Sequence, residues 1–302
     1  MKRRIALFFL CFGLCLTAAD ADAQGPLKVA ASFSILGDMV KNVGGDRVEV
    51  TTLVGPGGDT HVYQPTPADA KNVARASLVF VSGLGFEGWM ERLVKTSGCA
   101  GRVVVASQAV TPIIEASGEQ GGRPAADPHA WQDPRNGTLY VAAIEKALCE
   151  ADPAGAEVYA ANAAAYTRKI EAMDAWIRTQ FAAIPPDERR IITSHDAFGY
   201  FGRAYGVTIL APMGYSTESE ASALGVSELI RQIRREKVKA LFVENMSDPR
   251  LVERIGKETG VAPGGTLYSD ALSAPDGPAA TYLDMFTHNV TLMIAAMRGE
   301  RP

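Results

Sequence analysis

The sequence predicts an α/β protein of two lobes, each with a mostly parallel sheet flanked by helices, joined by one long linking helix. Two observations carry this. Strand-length apolar runs alternate with helical periodicity across residues 27–106, and the alternation restarts across 190–268. Between the two series, 153–182 is one helical stretch rich in Ala and in Glu, Lys and Arg. Strands that alternate with helices favour parallel sheets with helices on their faces. The expected divisions are 1–23, 24–152 for the N-terminal lobe, 153–184 for the linking helix and 185–302 for the C-terminal lobe.

Each segment has its own signal. Lys2, Arg3 and Arg4 precede an apolar run over 5–19, and Ala21-Asp22-Ala23 follows, which is the layout of a cleavable signal peptide. That run is shorter than the ~20 residues of a membrane span. Strands are expected at 27–34, 48–53, 78–82 and 102–106, with helices at 35–43, from Thr66 onward and at 86–97. Thr66, Pro67 and Asp69 form a helix start, with a cap, a proline at the first position and a capping-box carboxylate. A loop rich in Gly, Ala and Pro covers 117–128. Helices follow at 137–150 and 153–182, the second opened by Asp152-Pro153. The second series places strands at 190–193, 207–211, 240–244 and 266–268, and helices at 198–205, 222–236, 251–259 and 281–297.

The formal net charge of −4 and the absence of a basic block argue against a nucleic-acid partner. Cys11 and Cys15 fall inside the signal. A leucine stands directly before each, so a lipid-anchor site is not expected. Cys99 and Cys149 remain, and an oxidising compartment permits them to pair or to stay as thiols.

Histidine is scarce, with four in the chain: His61, His129, His195 and His288. His61 lies in the loop after the second strand and His129 beyond the fourth. His195 directly follows the strand at 190–193, and Asp270 follows the one at 266–268. All four of these residues thus lie past strand C-terminal ends, where open α/β sheets bind ligands. Each lobe contributes two. Three imidazoles and a carboxylate make a closed four-coordinate shell suited to zinc, whereas catalytic zinc keeps a position open for water. His288, inside the closing helix, is expected to pack or face solvent. Asp59, Asp127 and Glu244 are conceivable partners for the imidazoles, but are expected to be ordinary surface carboxylates.

Four motifs then point to a family. Asp127-Pro128-His129-Ala130-Trp131-Gln132-Asp133-Pro134 resembles the DPHxWxDP signature of the substrate-binding proteins of zinc and manganese ABC transporters. Gly58-Asp59-Thr60-His61-Val62-Tyr63-Gln64-Pro65, Ser194-His195-Asp196-Ala197-Phe198 and Leu267-Tyr268-Ser269-Asp270-Ala271-Leu272-Ser273 resemble its other ligand loops, in the same order. The resemblance implies a divalent metal held between the lobes and delivery to a membrane permease for ATP-driven import. In the family's manganese-type members the third ligand is commonly Glu. Here it is His195, and the extra nitrogen favours zinc, one ion per chain, over manganese or iron. Zinc-type relatives also carry a His-rich loop, which 115–128 lacks. A periplasmic monomer with small lobe shifts on metal release is expected, with affinity falling as pH drops through the histidine range near ~6.5.

Three rival readings are weaker. Gly83-Leu84-Gly85-Phe86-Glu87-Gly88 matches a dinucleotide-binding pattern, but it follows the third strand and no acidic ribose ligand ends the next one. A periplasmic metallohydrolase would need an open coordination position and a base such as Glu244, and no HExxH motif is present. A surface adhesin would need an anchor.

Overall fold

The computed structural model describes residues 25–115 and 124–300. The expected signal at 1–23 and residues 117–123 of the Gly- and Pro-rich loop lie outside them. In the first lobe β1 (Leu27–Phe33) pairs in parallel with β2 (Val48–Val54) and β3 (Leu78–Val81), and β4 (Arg102–Val105) extends the sheet beyond β3. The connections are α1 (Ser34–Gly44), α2 (Pro67–Arg75) and α3 (Met90–Ser97). β3 reads as a continuous apolar run, and β1 is buried from Val29 to Phe33, because both faces of a parallel sheet are covered. The Thr66 capping box forms as expected, with Asp69 closing it on the Thr66 N–H.

A short antiparallel pair, β5 (Ile114–Glu115) and β6 (Ala125–Ala126), lies beyond β4. α4 (Pro134–Ala151) starts three residues before the predicted 137, because Asp133 caps it and Pro134 takes the first position. The linking helix α5 spans Ala156–Ala182, 27 residues or about 40 Å. Asp152-Pro153 opens a 3₁₀ turn rather than α5 itself, since the Asp152 carboxylate accepts from Arg47 and from the Tyr159 hydroxyl. Tyr159, Ala163, Tyr166, Ile170, Ile177 and Phe181 form the buried stripe of α5, at helical spacing.

The second lobe holds β7 (Arg190–Ile192), β8 (Thr208–Leu210), β9 (Ala240–Glu244) and β10 (Pro263–Leu267), with α6 (Gly199–Tyr205), α7 (Ala223–Glu236) and α8 (Arg250–Thr259). All of its strand pairings are parallel. β10 begins at Pro263, ahead of the expected 266, through an irregular stretch that includes Gly264 and Gly265. The sheets run β2-β1-β3-β4 and β8-β7-β9-β10, the same order relative to the chain. Each therefore has a switch point at its centre, between β1 and β3 and between β7 and β9.

The two lobes share one main core. Val29, Phe80 and Trp131 belong to the same apolar cluster as Phe201, Phe242 and Leu267. The last helix α9 (Tyr282–Met297) packs on β10 and also on α5 and α1, so it bridges the lobes beside α5. Asp38 on α1 receives the Tyr282 N–H at 3.0 Å and the Tyr166 hydroxyl at 3.2 Å. A smaller cluster, centred on Leu229, Ile233, Leu241 and Ile255, lies under α7 and α8. Cys99 and Cys149 are free thiols.

Candidate metal centre

The structure brings His61, His129, His195 and Asp270 together at the strand C-terminal ends, between the lobes. One donor atom from each lies within 4.8 Å of every other. Asp270 sits at the centre. Its oxygens lie 3.3 Å from His61 Nε2, 3.7 Å from His129 Nε2 and 3.1 Å from His195 Nε2, and the His61 and His129 Nε2 atoms are 3.3 Å apart. A tetrahedral ion with bonds of about 2.0–2.1 Å needs donors about 3.3 Å apart. His195 Nε2 and both Asp270 oxygens are buried without a well-oriented hydrogen bond, as atoms that converge on a cation would be. His61 is 8% exposed and the other three are 0% exposed.

Local structure explains why each of these four side chains points inward. In Asp59-Thr60-His61 and Asp127-Pro128-His129 the carboxylate accepts the N–H of the histidine two residues on, at 2.9 Å in both. Asp127 Oδ1 also lies 2.8 Å from His129 Nδ1, which leaves Nε2 facing the cluster. Trp89 holds the Thr60 carbonyl at 2.8 Å and so fixes the His61 turn from behind. The Gly83-Leu84-Gly85 turn runs at φ of 90°, 57° and 84°. It delivers Phe86 edge-on to the rings of His61 and His129. The glycine pattern therefore builds a wall of this site.

In the second lobe Glu244, at the end of β9, organises both ligand loops. Its Oε1 accepts the N–H groups of Ser194 and His195 at 2.8 and 2.9 Å. Its Oε2 accepts from Ser269 and lies 2.7 Å from His195 Nδ1. Ser269 precedes Asp270, and its carbonyl accepts from Trp131 at 2.9 Å and Gln132 at 2.7 Å, both in the first lobe. The expectation that Asp127 and Glu244 are ordinary surface carboxylates is therefore wrong: both are buried, against the His129 and His195 imidazoles. Asp59 is only partly buried, and it holds the His61 backbone rather than the ring. His288 lies apart from the cluster, with Nε2 2.9 Å from the Thr266 carbonyl and its ring against Tyr268.

The charges are coupled. Burial opposes a charge on His195, but Glu244 and Asp270 outweigh it and lift the imidazole well above its ordinary value. Burial also opposes a charge on Asp270, but the His195 and His129 rings hold this carboxyl well below its usual range. Glu244 and Asp270 thus favour a proton on His195, and a cation bound there would compete with it. Affinity is then full above the raised His195 value and is lost as pH falls through it. We expect metal affinity, read by chelator competition, to fall as pH is lowered, by up to about tenfold per pH unit for the one proton displaced. A flat profile would show that no proton is displaced.

The comparisons with known proteins agree with one another on family but not on metal. Residues 29–296 match the ZnuA family, "Zinc-uptake complex component A periplasmic". The chain is 35% identical to the manganese-binding lipoprotein MntA of Halalkalibacterium halodurans, over 93% of this chain and 91% of that one. It is 35% identical to the iron-binding protein YfeA of Yersinia pestis, over 89% and 86%. The periplasmic zinc binding protein TroA from Treponema pallidum superposes with a TM-score of 0.85 at 32% identity, covering 91% of this chain and 99% of that one. Such proteins work beside an ABC permease and are not enzymes, which removes the hydrolase reading. A shared two-lobe fold, the ligand motifs in order and similarity along nearly the whole chain lead to one assignment: this chain belongs to the family of periplasmic metal-binding, substrate-binding proteins of ABC transporters.

Proposed function

We propose that this protein captures one zinc ion with His61, His129, His195 and Asp270 and delivers it to the membrane permease of an ABC importer. The observation that carries the reading is the donor set: three imidazole nitrogens and one carboxylate, with the Asp270 oxygens 3.1–3.7 Å from the three Nε2 atoms and His61 Nε2 3.3 Å from His129 Nε2. That spacing suits a small four-coordinate ion, and nitrogen-rich shells favour zinc over manganese, which takes more oxygen donors. Manganese is the competing cargo, since it is the metal most often named among the relatives, with iron also represented.

Export is part of the proposal. The N-terminal pattern supports a cleaved signal and release into the periplasm, where the protein is proposed to act as a monomer. Several relatives are named lipoproteins, so a lipid-held form is the alternative, and mass spectrometry of the exported chain separates the two. No helix among the described residues is long and apolar enough to cross a membrane.

The cargo is tested by stripping the purified protein, exposing it to equimolar Zn²⁺, Mn²⁺ and Fe²⁺, and measuring bound metal. About one zinc per chain is expected. Preferential manganese or iron would reassign the cargo, and no retained metal would overturn the capture reading.

A further inference from the structure

The way to the metal passes beneath a loop. A cleft of about 580 Å³ reaches His61, the ligand with the most exposure, and Tyr215, Ser216 and Glu218 form one wall of it. These residues belong to the connection between β8 and α7. On its own lobe the loop is joined to the His195 segment: Met213 bridges to His195, and the Asp196 N–H reaches the carbonyls of Met213 and Gly214 at 3.1 Å. Across the cleft, Thr217 Oγ1 donates to Asp59 Oδ2 at 2.7 Å. The other oxygen of that carboxylate takes the His61 N–H at 2.9 Å. One side chain thus ties the covering loop to the ligand it covers, and it does so between lobes.

We propose that residues 213–218 form a lid over the exit path and that Thr217 is a positioning residue, latching the lid to Asp59 and so holding His61 in the shell. This rests on the metal-capture reading above. A hydrogen bond to a charged acceptor is stronger than one between neutral groups. Losing it frees the lid and loosens the turn that aims His61, so metal escapes faster. The other three ligands, which the lid does not hold through Asp59, stay in place.

The test is the rate at which zinc-loaded protein releases Zn²⁺ to a fluorescent chelator in stopped flow, for wild type, Thr217→Val, Thr217→Ser, Asp59→Ala and the Thr217→Val/Asp59→Ala pair. Thr217→Val is expected to release about tenfold faster, with the apo melting temperature lowered by only a few degrees, so that the protein stays folded and loadable. Thr217→Ser keeps the donor and should restore the wild-type rate. Adding Thr217→Val to Asp59→Ala should change nothing further, because the latch acts through that carboxylate. An unaltered rate in Thr217→Val, or the same acceleration when Asp59 is already alanine, overturns the latch while leaving metal capture intact. A wild type that cannot be loaded overturns both.

Discussion

Asp270→Asn is expected to weaken zinc binding by about 100- to 1,000-fold. A structural zinc site binds with about 10–16 kcal/mol in all, shared among four ligands, and Asp270 is the one anionic member. It is also the hub of the shell, with oxygens facing all three imidazoles. Asparagine keeps the shape and removes the charge. One effect runs the other way: Asp270 helps to raise His195, so its loss lowers the proton's hold on the site. Comparing wild type and variant by chelator titration over a pH series separates the direct term, which persists at the highest pH, from proton competition, which does not. An affinity within threefold of wild type would show that Asp270 is not a ligand.

The second large effect is expected at Glu244. In Glu244→Ala the buried N–H groups of Ser194 and His195 lose their acceptor, and Ser269 loses its partner. Each unsatisfied group costs about 1–3 kcal/mol, so a total near ~4 kcal/mol is reasonable. For a chain of this size that lowers the melting temperature by roughly 10 °C. Metal affinity should fall as well, by about 10- to 100-fold, because His195 loses the group that orients it. Glu244→Gln keeps an acceptor for the two N–H groups, so it should recover most of the stability and little of the affinity. Calorimetry of both variants separates the two roles, and an alanine variant that melts like wild type would remove the hub from the account.

Much of this site could be read from the sequence because its ligands are rare and stand at comparable places. Three of four histidines follow strand ends, and strand ends are set by local apolar runs. The supporting carboxylates were harder, since nothing in composition separates a buried glutamate from an exposed one. Glu244 did carry a signal: it is the single acid closing the apolar run Ala240-Leu241-Phe242-Val243. The repeated Asp-x-His of 59–61 and 127–129 carried another, as Asp two residues before a ligand favours a local turn. Asp133-Pro134 has the same cap-and-proline form as Asp152-Pro153, yet the first opens an α-helix and the second a 3₁₀ turn. Arg47 and Tyr159, distant in sequence or a turn away, decide that difference. Strand order, the shared core and the covering loop depend on non-local contacts, and 211–222 has neither periodicity nor a motif.

The division of the apolar interior into a large cluster and a small one bears on where the molecule can yield. His61, His129 and Asp270 follow elements that feed the large cluster, which runs through both lobes, whereas β7, which precedes His195, feeds the large cluster through Ile191 and the small one through Ile192. Leu210 and Ala221, at the two roots of the 211–222 loop, pack instead on the small cluster under α7 and α8. Local unfolding follows such boundaries, and a unit with fewer buried contacts opens at lower free energy. The outer part of the second lobe is therefore the unit that opens at lower free energy, carrying the loop with it, and the opening reaches the site through His195, which is bridged to Met213 of that loop, while His61, His129 and Asp270 stay on the larger cluster.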